Sequence, residues 1–121
     1  MNGLLLFAHG ARDPRWADPF QAVAARVRER TPAAMVRLAF LEFMAPDIAT
    51  AGHEMAAAGC TAVDVVPIFL GAGGHVRKDL PALLDTLRTQ HPGVRFTLHP
   101  AVGESALVID AMAEAAARSL G

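Results

Sequence analysis

Leu4-Leu5-Leu6-Phe7-Ala8-His9-Gly10 is the stretch whose reading decides the fold. Five apolar residues run without alternation into a histidine and a glycine, the pattern of a strand buried on both faces rather than on one. Residues 3 to 8 are therefore predicted to be an interior strand of a parallel sheet. The pattern recurs twice. Residues 34 to 41 end on Glu42, and residues 62 to 70 lead through Gly71-Ala72-Gly73-Gly74 to His75. A shorter run, residues 94 to 98, supplies a fourth strand.

Helical periodicity fills the intervals. From Pro14 onward Phe20, Val23, Ala24 and Val27 recur on one side, while Arg26, Arg28, Glu29 and Arg30 take the other, up to the break at Thr31-Pro32. Pro46 suits a first helical turn, and Ile48, Ala51, Met55 and Ala58 trace a stripe ending at Gly59. Val76, Leu80, Leu83, Leu84 and Leu87 mark a third helix stopping before His91-Pro92-Gly93. Residues 104 to 120 close the chain with Leu107, Val108, Ala111, Met112, Ala115 and Ala116 on one side. Four strands alternating with four helices over short connections predict a single α/β domain over residues 1–121. Its four-stranded parallel sheet is doubly wound, with helices on both faces; the strand order is left open by the sequence, 2-1-3-4 being the one that would set three of these strand ends side by side.

The totals exclude several classes. A chain of 121 residues with 53% hydrophobic and 19% charged residues describes one well-filled globular domain. Eleven Lys and Arg against 12 Asp and Glu leave a formal charge of −1, so no nucleic-acid backbone is an expected partner. No stretch approaches the ~20 apolar residues of a membrane span, and the start lacks a secretory pattern, so a cytoplasmic location is expected. Cys60 is the lone cysteine, which excludes an internal disulfide and a CxxC site and reads as a buried, inert thiol.

Chemistry is expected at the carboxyl ends of the strands, where ligands of open α/β sheets bind. His9, Glu42 and His75 would gather there, and two imidazoles with a carboxylate suit a divalent transition metal. His75 also begins a helix, whose macrodipole favours the neutral ring that ligation or proton abstraction requires. Each histidine taken alone could equally serve a structural hydrogen bond, and Glu42 could pair with a surface arginine. Gly73 and Gly74 leave room for backbone to approach a bulky flat ligand. Arg12, Arg15, Arg77 and Lys78 would rim the same edge, either as solvated charge or as docking points for a ligand bearing several carboxylates. His53 and His91 read as solvated, and His99 as a second-tier candidate. The glycine loop lacks a P-loop ending, so a flavodoxin-like nucleotide- or phosphate-binding module rests on fold analogy alone.

The blocks Leu6-Phe7-Ala8-His9-Gly10-Ala11-Arg12-Asp13-Pro14, Ala39-Phe40-Leu41-Glu42, Pro67-Ile68-Phe69-Leu70, Gly74-His75-Val76 and Asp79-Leu80-Pro81, in this order and spacing, resemble the sirohydrochlorin cobaltochelatase and ferrochelatase family in its short form. The resemblance spans nearly the whole chain. It implies an ATP-independent class II chelatase that inserts Co²⁺ or Fe²⁺, with Ni²⁺ open, into sirohydrochlorin for cobalamin or siroheme. No tightly bound cofactor is implied, the ion being a substrate. His9 and His75 match the family's metal-binding and catalytic histidines, and Glu42 the acidic partner. Longer relatives carry two such domains in tandem, so a homodimer is expected here. Residues 98 to 104, where the family has a short Gly and Pro segment, read Leu98-His99-Pro100-Ala101-Val102-Gly103-Glu104 and leave His99 without an assigned role. A carrier of metal or tetrapyrrole using the same residues without insertion is the rival reading.

Overall fold

The computed structural model describes residues 1–71 and 73–121, with the side chains of His75 and Arg77 outside the description. Ala72 of the glycine loop therefore lies outside it as well. The elements run β1 (Asn2–Ala8), α1 (Asp18–Arg30), β2 (Met35–Phe40), α2 (Ile48–Ala57), β3 (Ala62–Pro67), α3 (Gly74–Gln90), β4 (Arg95–Leu98) and α4 (Ala106–Arg118), with 3-10 turns at Pro14–Ala17 and Val102–Glu104. The four strands are all parallel, as expected, and their order, which the sequence left open, is β2-β1-β3-β4.

Alternate residues of each strand feed two cores, which is why the apolar runs are continuous. Leu5, Phe7, Val63, Val65 and Phe96 face α2 and α3, meeting Ile48, Ala51, Met55, Leu80, Leu84 and Leu87. Leu6, Ala8, Val36, Leu38 and Phe40 face the other way, toward Ala17 and Ala24, with Trp16, Phe20 and Val27 packed alongside. Cys60 is buried in the first core, as read from its sequence neighbours. No helix among the described residues is long and apolar enough to cross a membrane.

Several boundaries move from the sequence expectation. The helix predicted from Pro14 is a 3-10 turn, capped by Asp13, that passes into α1 only at Asp18. Pro46 lies before α2, not in its first turn. Its carbonyl accepts from the Phe40 N–H at 2.9 Å, and Asp47 becomes the cap by accepting from the Thr50 N–H at 2.8 Å. The third strand ends at Pro67, three residues early: the Ile68 N–H still reaches the Phe7 carbonyl at 2.8 Å, after which the chain turns out toward α3.

The largest departure is α4. Among the described residues its apolar stripe finds little to cover: no residue of the helix is buried, and Leu107 is 83% exposed. Where α1 covers β2 and β1 on its face, the neighbouring strands β3 and β4 present Asp64, Arg95 and Thr97 outward, all exposed. Such a polar strip offers α4 no apolar seat.

Candidate functional site

His9 is the first residue beyond β1, half-buried at the carboxyl edge of the sheet. Hydrogen bonds hold its backbone between the two neighbouring strand exits. Toward β2, the Leu41 N–H donates to the Ala8 carbonyl at 2.9 Å and the Glu42 N–H to the His9 carbonyl at 3.1 Å. Toward β3, Ile68 pairs with Phe7 as described. The next residue must be glycine: Gly10 has φ of +88°, and a Cβ there would fall on the Glu42 carbonyl oxygen. The β1 and β2 exits are thus locked together, and Glu42 is brought beside the His9 backbone.

The imidazole stacks on Phe69, with ring centroids 4.4 Å apart and planes inclined at 39°. Phe69 in turn meets the buried Phe7 edge-on at 6.2 Å. A cleft of about 260 Å³ opens at His9, walled by Trp16, Phe20, Ile68, Phe69, Leu70 and Val102. Trp16 and Phe20 are themselves stacked, 4.5 Å between centroids. A second hollow of about 280 Å³ lies on the α3 side of Phe69, bordered by Pro67, Val76, Leu80, Pro81 and Leu98, with His99 and Glu104 at its rim. Phe69 is the wall common to both. Among the described residues of this cleft His9 is the one imidazole, set among aromatic and aliphatic walls where a nitrogen lone pair can meet a flat ligand.

Glu42 is exposed, and among the described residues its carboxylate takes no hydrogen bond or ion pair. Among the described arginines, none pairs with it. Arg12 instead lies over the ring of Phe43, 4.8 Å from its centroid, and props the Glu42 loop, whose Phe43 has φ of +65°. Arg15 is turned onto Asp13 at 3.0 Å, and this hydrogen bond holds the Asp13 carboxyl below the usual carboxylate range. Gly73 caps α3, Gly74 is its first residue, and Lys78 is exposed on its first turns. A Cβ at Gly73 or Gly74 would meet open space, so the room expected there exists. The backbone of residue 75 is in the first turn of α3, as expected; its side chain, like that of Arg77, lies outside the described residues. Among the described residues no three His, Cys, Asp or Glu side chains form a group able to hold an ion.

His99 is drawn elsewhere. Its Nε2 is 2.8 Å from Asp64 Oδ1, a residue in the middle of β3, so the ring leans back over the sheet face. Trp16, Phe20 and Phe69 were not singled out from sequence as site residues. The signal was present but weak, since aromatic residues at strand ends and first helical turns are ordinary core positions.

The CbiX family model matches residues 3–119, and the chain belongs to that family. It is 33% identical over 91 residues to the sirohydrochlorin cobaltochelatase of Methanocaldococcus jannaschii, a match covering 75% of this chain and 64% of that protein. The sirohydrochlorin cobaltochelatase of Sulfurisphaera tokodaii is 28% identical over 114 residues, covering 94% and 90%. Among solved structures, the CbiX protein of Marinobacter aquaeolei VT8 superposes with a TM-score of 0.86 at 31% identity, covering 99% of this chain and 98% of that one.

Proposed function

We propose that this chain inserts a divalent metal ion, Co²⁺ or Fe²⁺, into sirohydrochlorin in the cytoplasm, as an ATP-independent chelatase with no tightly bound cofactor. The observation that carries the proposal is His9: an imidazole at the open end of β1, stacked on Phe69, facing an apolar cleft, in a chain of the CbiX family. Metal insertion strips water from the ion, removes two pyrrole protons from the macrocycle and leaves the dication on four ring nitrogens. A neutral imidazole serves either step, as ligand to the incoming ion or as acceptor of a pyrrole proton. In this reading His9 and His75 share those tasks, and the exposed Glu42 carboxylate completes the coordination or takes the proton onward.

The aromatic walls suit the macrocycle's flat face, and Arg12, Arg15, Arg77 and Lys78 would meet its peripheral carboxylates. Arg12 and Arg15 would do so from positions already braced by Phe43 and Asp13. Neither hollow alone encloses a tetrapyrrole, so the ring would lie across the sheet edge with Phe69 beneath it. A second copy of the chain is the partner that fits. The uncovered α4 carries exposed Leu107, Ile109 and Met112, and a 13-residue helix is marginal in water without a surface to pack on.

The test follows absorbance of sirohydrochlorin with Co²⁺ in the presence of His9→Ala, His75→Ala and Glu42→Gln variants. Loss of a general base or ligand predicts a fall in insertion rate of about 10² or more for either histidine. A carrier would bind the pigment without accelerating insertion in any variant, the wild type included.

A further inference from the structure

Away from the carboxyl edge, the structure pairs two histidines that the sequence separates by 38 positions. His53 lies on α2 and His91 is the residue that ends α3. His53 Nδ1 is in hydrogen-bonding contact with His91 Nε2, with ring centroids 4.6 Å apart and planes at 67°. The pair stands toward the amino-terminal edge of the sheet, because α3 runs back from the carboxyl edge and His91 precedes β4. His9, at the other edge, belongs to a different site.

We propose that His53 and His91 form a second metal site, a two-nitrogen seat for a borderline divalent transition ion such as Ni²⁺, Cu²⁺ or Zn²⁺. Three features support it. First, the backbones that carry the two ligands are held close together. Gly52 lets α2 approach α3 so closely that a Cβ there would sit 2.8 Å from the Leu87 side chain, and Leu87 is one turn before His91. The His91 N–H donates to the Leu87 carbonyl at 2.9 Å, and the His91 carbonyl accepts from Val94 at 3.0 Å.

Second, the two facing nitrogens meet over one hydrogen-bonded proton; when that proton leaves to water and the same ring is protonated instead on its outer nitrogen, both rings stay neutral, and as they part a divalent ion can take both facing lone pairs. Third, His53 is exposed and His91 half-exposed, so water can fill the remaining coordination positions. Two imidazoles select borderline ions over Mg²⁺ or Ca²⁺, and by the general series Cu²⁺ and Ni²⁺ bind ahead of Co²⁺. A metal titration of the whole protein would therefore count an ion that takes no part in insertion.

The experiment titrates the intact protein with Ni²⁺ alone by calorimetry and follows ring and amide resonances by NMR. Wild type should show paramagnetic broadening centred on residues 52–54 and 90–92. The double variant His53→Gln/His91→Gln should lose one bound Ni²⁺ per chain and that broadening, while its cobalt-insertion rate equals wild type. Broadening absent from these residues in the wild type, or an unchanged Ni²⁺ count in the double variant, overturns the proposal. The wild-type spectrum decides the matter even should the variant fold poorly. The chelatase reading stands or falls separately, on His9→Ala.

Discussion

At the residue scale, glycines and caps set the positions of chemistry that other residues perform. Gly10 is the sharpest case, combining a left-handed backbone with a carbonyl where its Cβ would be. Gly10→Ala should destabilise the fold by about 2 kcal/mol or more, measured by urea unfolding, because backbone strain and overlap add. Insertion activity should fall further than stability explains, since His9 moves with the loop. Gly103 plays the matching part between β3 and β4. Its N–H donates to the Phe69 carbonyl at 3.0 Å, and a Cβ there would overlap the Leu70 backbone. The glycine loop drew attention in the sequence as a place of open backbone, and the structure agrees at Gly73 and Gly74. The glycines that admit no side chain at all, Gly10 and Gly103, were legible only once the strand exits had been brought together.

At the element scale, α2 and α4 differ in what holds them. In α2 the Asp47 cap accepts the Thr50 N–H, a bond that pulls the Asp47 carboxyl below its usual range. A carboxyl depressed on folding stabilises the native state above its unfolded pKa, and that contribution disappears as pH falls through the folded value. Asp47→Ala should therefore cost about 1 kcal/mol at pH 7, and the difference from wild type should shrink below about pH 4 in paired denaturation curves. A difference independent of pH would remove the carboxylate from the account. In α3 the buried Leu84 carries the packing against the sheet, and Leu84→Ala should cost about 2–5 kcal/mol by the same measurement. The same periodicity that correctly announced all these helices announced α4 too. Periodicity states that a helix has an apolar side; it does not state which surface covers it.

At the scale of the whole molecule, the uncovered α4 and the open sheet edge belong together. If the helix is seated on a second copy, Leu107→Asp/Met112→Asp should leave the two cores and the far-ultraviolet spectrum intact while shifting sedimentation from dimer to monomer. A wild type that sediments as a fully active monomer would refute the dimer. The pattern of the chain carried the alternation of strands and helices and the parallel sheet, because continuous apolar runs and short crossovers leave few other arrangements; the order of the strands was open until the sheet was seen. It also placed His9 and the start of α3 at one edge, since strand ends are fixed once strands are. Only the tertiary structure decided what stands around them. The stacking of His9 on Phe69, the cleft wall of Trp16 and Phe20, the withdrawal of His99 onto Asp64 and the meeting of His53 with His91 are contacts between residues far apart in the chain. Local pattern encodes which face of an element is apolar; the partner across the gap is set by how whole elements pack.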